Sequence, residues 1–248
     1  MPQTNHYQTI SKLTVKPAPK YLIKEKKYGN EIVVFSNSGG RIKFFHCPVE
    51  INKQIDKKFR VGDYSQKKLF HSRFIDGNDK KIKGLATKTI GNNQILNDVI
   101  KKLYDFTLDY LTYGKPIDGL YSYRQAYEAA LTDCGGFSTL LASLLQSQGI
   151  PCRLVVGFLI NKKMFYATCY MLHNLSIHAW LECQLPDGCW FPLDPSIEWR
   201  RIKGLTKRLG GFGHIPADRL VVSFGEDLKI NINRKKFIID ILQKPVRL

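Results

Sequence analysis

The stretch T-D-C-G-G-F-S-T-L-L-A-S-L-L-Q-S-Q-G-I, Thr132 to Ile150, reads as a buried helix with a cysteine at its mouth. Leu140, Leu141, Leu144 and Leu145 recur at helical spacing, and Gly149 followed by Ile150-Pro151 is a C-terminal stop signal. Asp133 or Thr132 can cap the start, which leaves Cys134 in the first turn beside backbone N–H groups that have no intrahelical acceptor. Such groups favour a thiolate. A cysteine so placed is expected to titrate at roughly 3.5 to 7.5 instead of about 8.5, especially with an imidazolium nearby, and so to alkylate at lower pH than a free thiol. The adjacent Asp133 carboxylate opposes that shift. Gly135 and Gly136 are poor helix formers, but without side chains they let a substrate carbonyl approach the backbone. An isolated cysteine would be read as a small buried apolar residue; the residues downstream of Cys134 reverse that reading.

Cys152 to Ile160, C-R-L-V-V-G-F-L-I, is a nearly continuous apolar run whose length and β-branched content suit a buried strand. Asn161-Lys162-Lys163 turns the chain. Met164 to Asn174 fits either a further strand or an active-site loop, with Phe165, Tyr166 and Tyr170 lining a cleft or packing. Ser176 to Leu185 then alternates as a strand, with His178, Trp180 and Glu182 on one face and Ala179, Leu181 and Cys183 on the other. Pro186-Asp187-Gly188 makes a turn, and Cys189 to Asp194 returns. The predicted hairpin carries a histidine on one arm and an aspartate at the end of the other.

A nucleophilic cysteine needs a base to take its proton and an acid to protonate the leaving amine, and one imidazole can do both. His178 is the candidate. A carboxylate on the second ring nitrogen would orient the imidazole and stabilise its protonated form, and Asp194 is placed for that across the hairpin. Alone, His178 would be a satisfied core histidine and Asp194 a turn residue; their occurrence together with Cys134 carries the weight.

At these residues the sequence resembles the transglutaminase-like superfamily. The matching pieces are Asp133-Cys134-Gly135-Gly136-Phe137, Gly149-Ile150-Pro151-Cys152-Arg153, His178-Ala179-Trp180-Leu181-Glu182 and Asp194-Pro195-Ser196. The resemblance runs from about Ile82 to Phe224 and takes in Gly211 to Asp227, similar to the segment that follows the triad in the family. It implies an α+β fold with a papain-like core, in which a helix bearing the nucleophile packs on an antiparallel sheet. It also implies catalysis by Cys134 as nucleophile, His178 as general base and acid and Asp194 as orienting carboxylate, through a thioester. One departure is Thr132, where the family often has glycine two residues before the cysteine.

Bacterial and archaeal members resemble peptidases or amidases, so hydrolysis of an amide or peptide bond is the first reading, with water as acceptor. Protein cross-linking by amine transfer is an alternative. No D-x-D-x-D-G calcium pattern occurs, so activity without calcium, and without any metal or cofactor, is expected. A catalytically silent scaffold that binds a peptide or glycan is a second alternative. A zinc site from Cys169, His173, His178, Cys183 and Cys189 is a third; its ligand types suit, but its spacings are irregular. Gln125 could lend an amide to an oxyanion hole, although a surface helix position suits it better, and His214 is read as structural.

The N-terminal part, to about Asp76, reads as β-rich. Glu31 to Ser36 and Arg41 to His46 flank Asn37-Ser38-Gly39-Gly40 as a hairpin would, and Ile51 to Ile55 and Lys68 to Ile75 could add strands. His46, Cys47 and His71 are ligand types without ligand spacing, so structural roles are favoured. Phe74 to Lys81, F-I-D-G-N-D-K-K, marks a boundary between a small β-rich module, residues 1–78, and a catalytic core, residues 79–248. Helical periodicity then runs through Ile82, Leu85, Ala86 and Thr89, and again through Ile95, Val99, Leu103, Phe106 and Tyr110.

With 248 residues and 44% hydrophobic content the chain can bury a sizeable core. Its net charge of +17 comes mostly from scattered lysines, such as Lys24, Lys26, Lys27, Lys57 and Lys58, without an arginine-rich stripe. A solvated basic surface and an acidic peptide or protein substrate fit this better than nucleic acid. The six cysteines form no C-x-x-C pair, no signal peptide is evident and no run reaches the roughly 18 apolar residues of a membrane span. A reducing cytoplasm, away from membranes, is the expected setting; Asn174-Leu175-Ser176 would then carry no glycan. The oligomeric state is not legible.

Overall fold

The structure, a computed structural model, describes residues 1–36, 40–64, 69, 71–160, 167–168 and 176–239. The first half contains strands β1 (Gln8–Lys16), β2 (Tyr21–Lys24), β3 (Glu31–Val34), β4 (Arg41–Pro48) and β5 (Ile51–Asn52), then helices α1 (Lys80–Ile90) and α2 (Leu96–Tyr110). Strand β6 (Thr112–Tyr113), helix α3 (Tyr123–Ala129) and strand β7 (Leu131–Thr132) lead into helix α4 (Cys134–Ser147). Strands β8 (Cys152–Leu159), β9 (Ala167–Thr168), β10 (Ser176–Gln184) and β11 (Trp190–Leu193) precede helix α5 (Pro195–Ile202). Strands β12 (His214–Ile215), β13 (Arg219–Phe224), β14 (Leu228–Ile232) and β15 (Lys235–Ile239) complete the described chain. The mixture is the expected α+β class.

Two compact units are present, each assembled from separated segments, so neither follows the sequence division at residue 78. The first comprises Met1–Ile51, Val155–His178 and Pro216–Leu248 and is built of strands. Strand β4 alternates strictly, burying Ile42, Phe44, His46 and Pro48 and exposing the residues between. It pairs antiparallel with β1 on one side and β9 on the other, and β13 pairs antiparallel with the later half of β8. Ile42 and Phe44 meet Ile160 and Leu220 in a small core. Where the β8–β13 register shifts between Val221 and Ser223, two buried amides stand in for strand backbone. Gln8 bonds both polar groups of Val221 at 2.8 Å, and Asn30 does the same for Phe224 at 2.8 Å.

The hairpin expected from Glu31–Ser36 and Arg41–His46 does not form. β3 pairs with β2 and β4 with β1. A side-chain cap decides this: the Glu25 carboxylate accepts the N–H groups of Lys27 and Tyr28 and closes the β2–β3 turn, which Gly29, at φ +77°, completes. Residues 37–39 of the expected turn, like 161–166 and 169–175, lie outside the described residues. Of the two further strands expected, β5 begins at Ile51 as read, whereas the described residues of 68–75 form no strand.

The second unit, Asn52–Leu154 and Ala179–Ile215, is organised around α4. That helix is buried on every side from Cys134 to Gln146, as its leucines predict. Helices α1, α2, α3 and α5 pack against it. Asp79 caps α1 by accepting the Lys81 and Ile82 N–H groups. Helix α2 buries Val99 and Leu103, while Phe106 and Tyr110 stack towards Tyr127 at its edge. The hairpin β10–β11 is found as read, with Leu181 opposite Leu193 and Gln184 opposite Trp190. The Gln184 N–H also donates to the Pro151 carbonyl at 2.8 Å. Both faces of β10 are buried from His178 to Cys183, so the alternation in the sequence does not separate core from solvent here. Helix α5 follows β11 directly, with Asp194 as its N-cap.

Candidate active site

Cys134 is the first residue of α4 and is buried. Asp133 is the cap: its Oδ1 accepts the Gly135 N–H at 2.8 Å and the Gly136 N–H at 3.3 Å. Close packing fixes this start. A Cβ built on Gly136 would stand 1.9 Å from Thr132 Oγ1, so glycine at 136 makes room for threonine at 132. The departure from the family pattern at Thr132 is thereby accommodated.

One strand residue meets this helix start through its backbone carbonyl. The Ala179 carbonyl accepts from Ser138 Oγ at 3.4 Å. The same hydroxyl donates to the Cys134 carbonyl at 2.8 Å. Helix mouth and strand are thus stitched together one residue after His178, which precedes Ala179 in β10 and is itself buried.

Asp194, fully buried, ends the other arm and begins α5. Its Oδ1 accepts from the Ile197 N–H at 3.2 Å and from Ser196 Oγ at 3.3 Å, and its own N–H donates to the Gly211 carbonyl at 3.1 Å. Aspartate as N-cap with proline at the first helical position is a strong helix-start signal. Glu182 of the same hairpin takes Arg153 Nε at 2.6 Å, and the guanidinium also stacks 3.9 Å from the Trp190 ring centroid. The G-I-P-x-R and H-A-W-x-E motifs therefore meet in one ion pair.

The Cys134 thiol does not have the lowered pKa expected of a helix mouth. Burial pushes it up to about 12, the Asp133 and Asp194 charges add to this, and the N–H groups of Ala179 and Gly135 offset only part. The helix-end donors that would favour a thiolate already serve the Asp133 carboxylate.

Two side chains that the sequence does not single out stand at the same mouth. Tyr113 pairs in register with Thr132 through the parallel β6–β7 bridge, and its ring lies 6.3 Å from Phe137. The Arg200 guanidinium sits 4.8 Å from the Tyr113 ring centroid. Burial pushes the Tyr113 phenol up to about 12, with Cys134 adding and Arg200 opposing. A two-residue strand and a short polar helix give neither residue a readable pattern.

The remaining candidates lie in other settings. Gln125 is exposed and closes a capping box with Ser122. His71 bonds Asn78 at 3.1 Å and faces Asp76 at 3.3 Å. His46 points inward from β4 while Cys47 points out. His214 is half-buried in β12. Cys169 and His173 of the zinc alternative lie outside the described residues, among which no group of three or more His, Cys, Asp or Glu is arranged to hold a metal ion. No helix among them is long and apolar enough to cross a membrane.

Residues 83–195 match the model of the transglutaminase-like superfamily. The chain is 25% identical over 203 residues to the uncharacterized protein YebA of Bacillus subtilis, covering 72% of this chain and 27% of YebA. It is 28% identical over 88 residues to a protein-glutamine gamma-glutamyltransferase of Pseudomonas aeruginosa, covering 34% of this chain and 13% of that protein. It thus spans less than a third of either relative. The structure of a proposed cysteine protease from Cytophaga hutchinsonii shares the fold, with a TM-score of 0.55 at 17% identity over 91% of this chain and 73% of that one.

Proposed function

We propose that this chain, whose residues 83–195 match the model of the transglutaminase-like superfamily, is a cysteine-dependent acyl-transfer enzyme acting on an amide bond of a peptide or protein. Cys134 is the nucleophile, His178 the general base and acid, and Asp194 the carboxylate that orients the imidazole. The observation that supports this reading is the Ser138 hydroxyl, bonded to both the Cys134 and the Ala179 carbonyls, which ties the residue after His178 to the helix start that bears the nucleophile.

A thiol with a raised pKa rests as S–H, so its proton passes to His178 as the sulfur attacks the acyl carbonyl. The C–N bond breaks, the imidazolium proton goes to the leaving amine and a thioester remains. Water then gives a proton to His178 and adds to the thioester; the C–S bond breaks and the sulfur is reprotonated. Hydrolysis is the default because water is the acceptor unless an amine site excludes it. Transfer to an amine is the second reading, favoured by the name of the Pseudomonas relative.

The test is amine release from a panel of peptide amides and denatured proteins, with and without a fluorescent primary amine. Turnover should vanish in Cys134→Ala and His178→Ala and survive calcium chelation. Label incorporated into protein would mark transfer over hydrolysis; turnover persisting in Cys134→Ala would overturn the reading.

A further inference from the structure

The triad chemistry leaves unused a cation stacked on Tyr113 at the same helix mouth. Arg200 lies in α5, the helix that Asp194 begins, and it is half-buried. Its stacking partner Tyr113 is tied by register to Thr132, two residues before Cys134, and leans on Phe137 in the first turn of α4. Phe137 in turn meets Trp199, the neighbour of Arg200, at 6.3 Å. The Arg200–Tyr113 pair is thereby braced against the helix mouth from both α4 and α5.

Nearby arginines have carboxylates. Arg201 faces Glu198 at 3.5 Å, and Arg153 pairs with Glu182. Among the described residues the Arg200 guanidinium has no ion pair or hydrogen bond, and the Tyr113 hydroxyl has no hydrogen bond. A guanidinium drawn partly out of water is stabilised by an anion, and its planar fork fits a carboxylate in bidentate fashion. Stacking on Tyr113 occupies one face of that plane and leaves the N–H edges open. The mouth is otherwise negative, with buried Asp133 and Asp194 beside the sulfur, so an anionic substrate would be repelled there without Arg200.

Resting on the reading of Cys134 as the acyl-accepting nucleophile, the geometry points to Arg200, braced on Tyr113, as the group that takes a carboxylate of the acyl donor next to the scissile amide. The substrate class is then an acidic peptide, with an Asp or Glu side chain or a terminal carboxylate beside the cleaved bond. Arg200 does not reach the reacting atoms; it determines which donors are held in place.

A pair of small alkylating agents tests this without turnover. Iodoacetate carries a carboxylate and iodoacetamide a neutral amide of nearly the same size. The ratio of their rates at Cys134, mapped by mass spectrometry, is normalised to the exposed Cys47 and Cys189 of the same protein, which cancels the general pull of a basic chain. The normalised ratio should exceed one, fall about threefold in Arg200→Gln, fall further in Arg200→Glu and be kept in Arg200→Lys. In the unaltered protein, glutarate should protect Cys134 from iodoacetamide better than glutaramide does, a measure that stands even if a variant misfolds. A ratio of one with equal protection, or a ratio indifferent to Arg200→Gln and Arg200→Glu, would overturn the subsite. These outcomes separate from failure of the proposed activity. A flat ratio in a protein whose turnover needs Cys134 removes only the subsite, whereas a raised ratio without turnover removes only the enzymatic reading.

Discussion

Asp133 draws the Gly135 and Gly136 N–H groups into its own carboxylate, so the part of the helix mouth that could stabilise an anion on Cys134 already serves one. Burial adds to the effect, and the thiol rests well above the ordinary cysteine range. Labelling of Cys134 by iodoacetamide should therefore go on rising beyond about pH 10, above the range in which a free thiol ionises. Asp133→Asn keeps the cap but removes the charge, and should bring the Cys134 profile to lower pH. A plateau for Cys134 below about pH 8, read by site-resolved mass spectrometry, would contradict this. The same turn makes a packing prediction. Gly136→Ala forces a Cβ onto Thr132 and should cost about 1–3 kcal/mol in urea unfolding, whereas the double variant Thr132→Gly/Gly136→Ala should lose less than the sum of the two single changes.

Asp194 has a capping role at the start of helix α5 and a proposed catalytic one, and substitution can separate the two. As N-cap it accepts the Ile197 N–H, a task asparagine performs equally well. For the proposed orienting role it needs its charge. Asp194→Asn should thus change the unfolding midpoint little while removing most turnover, and Asp194→Ala should lose turnover and a further ~1 kcal/mol of stability. Turnover kept in Asp194→Asn would leave the residue a cap alone. The pair Arg153–Glu182 is held between the start of β8 and the middle of β10, with Glu182 fully buried. Removing one partner strands the other charge, so Glu182→Ala should destabilise by about 3 kcal/mol, more than a surface pair would.

These elements also show what is legible in the sequence. The cysteine helix, the strand after it and the hairpin from Ser176 to Leu193 can be read because their apolar spacing is local and strong. Helix α5 escapes although Asp194-Pro195 announces it, because an orienting carboxylate accounts for the same aspartate and the segment has few apolar positions. The false pairing of β3 with β4 arises because Asn37-Ser38-Gly39-Gly40 is a strong turn signal, whereas the Glu25 carboxylate that closes the β2–β3 turn has no signature in spacing. The stack of Arg200 on Tyr113 joins positions 87 residues apart (200 − 113), which no periodicity records.

Stability across pH depends on groups whose charge the fold suppresses. On the alkaline side the native Cys134 thiol keeps its proton to about pH 12, while in the unfolded chain it is lost near pH 9; stability present below pH 9 is therefore lost as pH rises through that interval. On the acid side one such group is His46. It is buried on the inner face of β4 with Ile42 and Phe44, neither ring nitrogen makes a well-formed hydrogen bond among the described residues, and the Arg219 backbone only partly counters the burial that lowers its pKa to about 4. Between about pH 6.5 and 4 the unfolded chain binds a proton at this imidazole that the native state refuses. Stability should then fall with acidification by about 1.4 kcal/mol per pH unit from this group, in addition to the growing self-repulsion of a chain already at +17. His46→Leu removes the titration and keeps an apolar side chain facing Ile42 and Phe44. Its urea-unfolding free energy should accordingly depend less steeply on pH than that of the unaltered protein, by about one proton's slope across this window. Parallel curves for the two proteins would mean that the His46 imidazole is protonated in the native state, and that the acid sensitivity arises from the carboxylates.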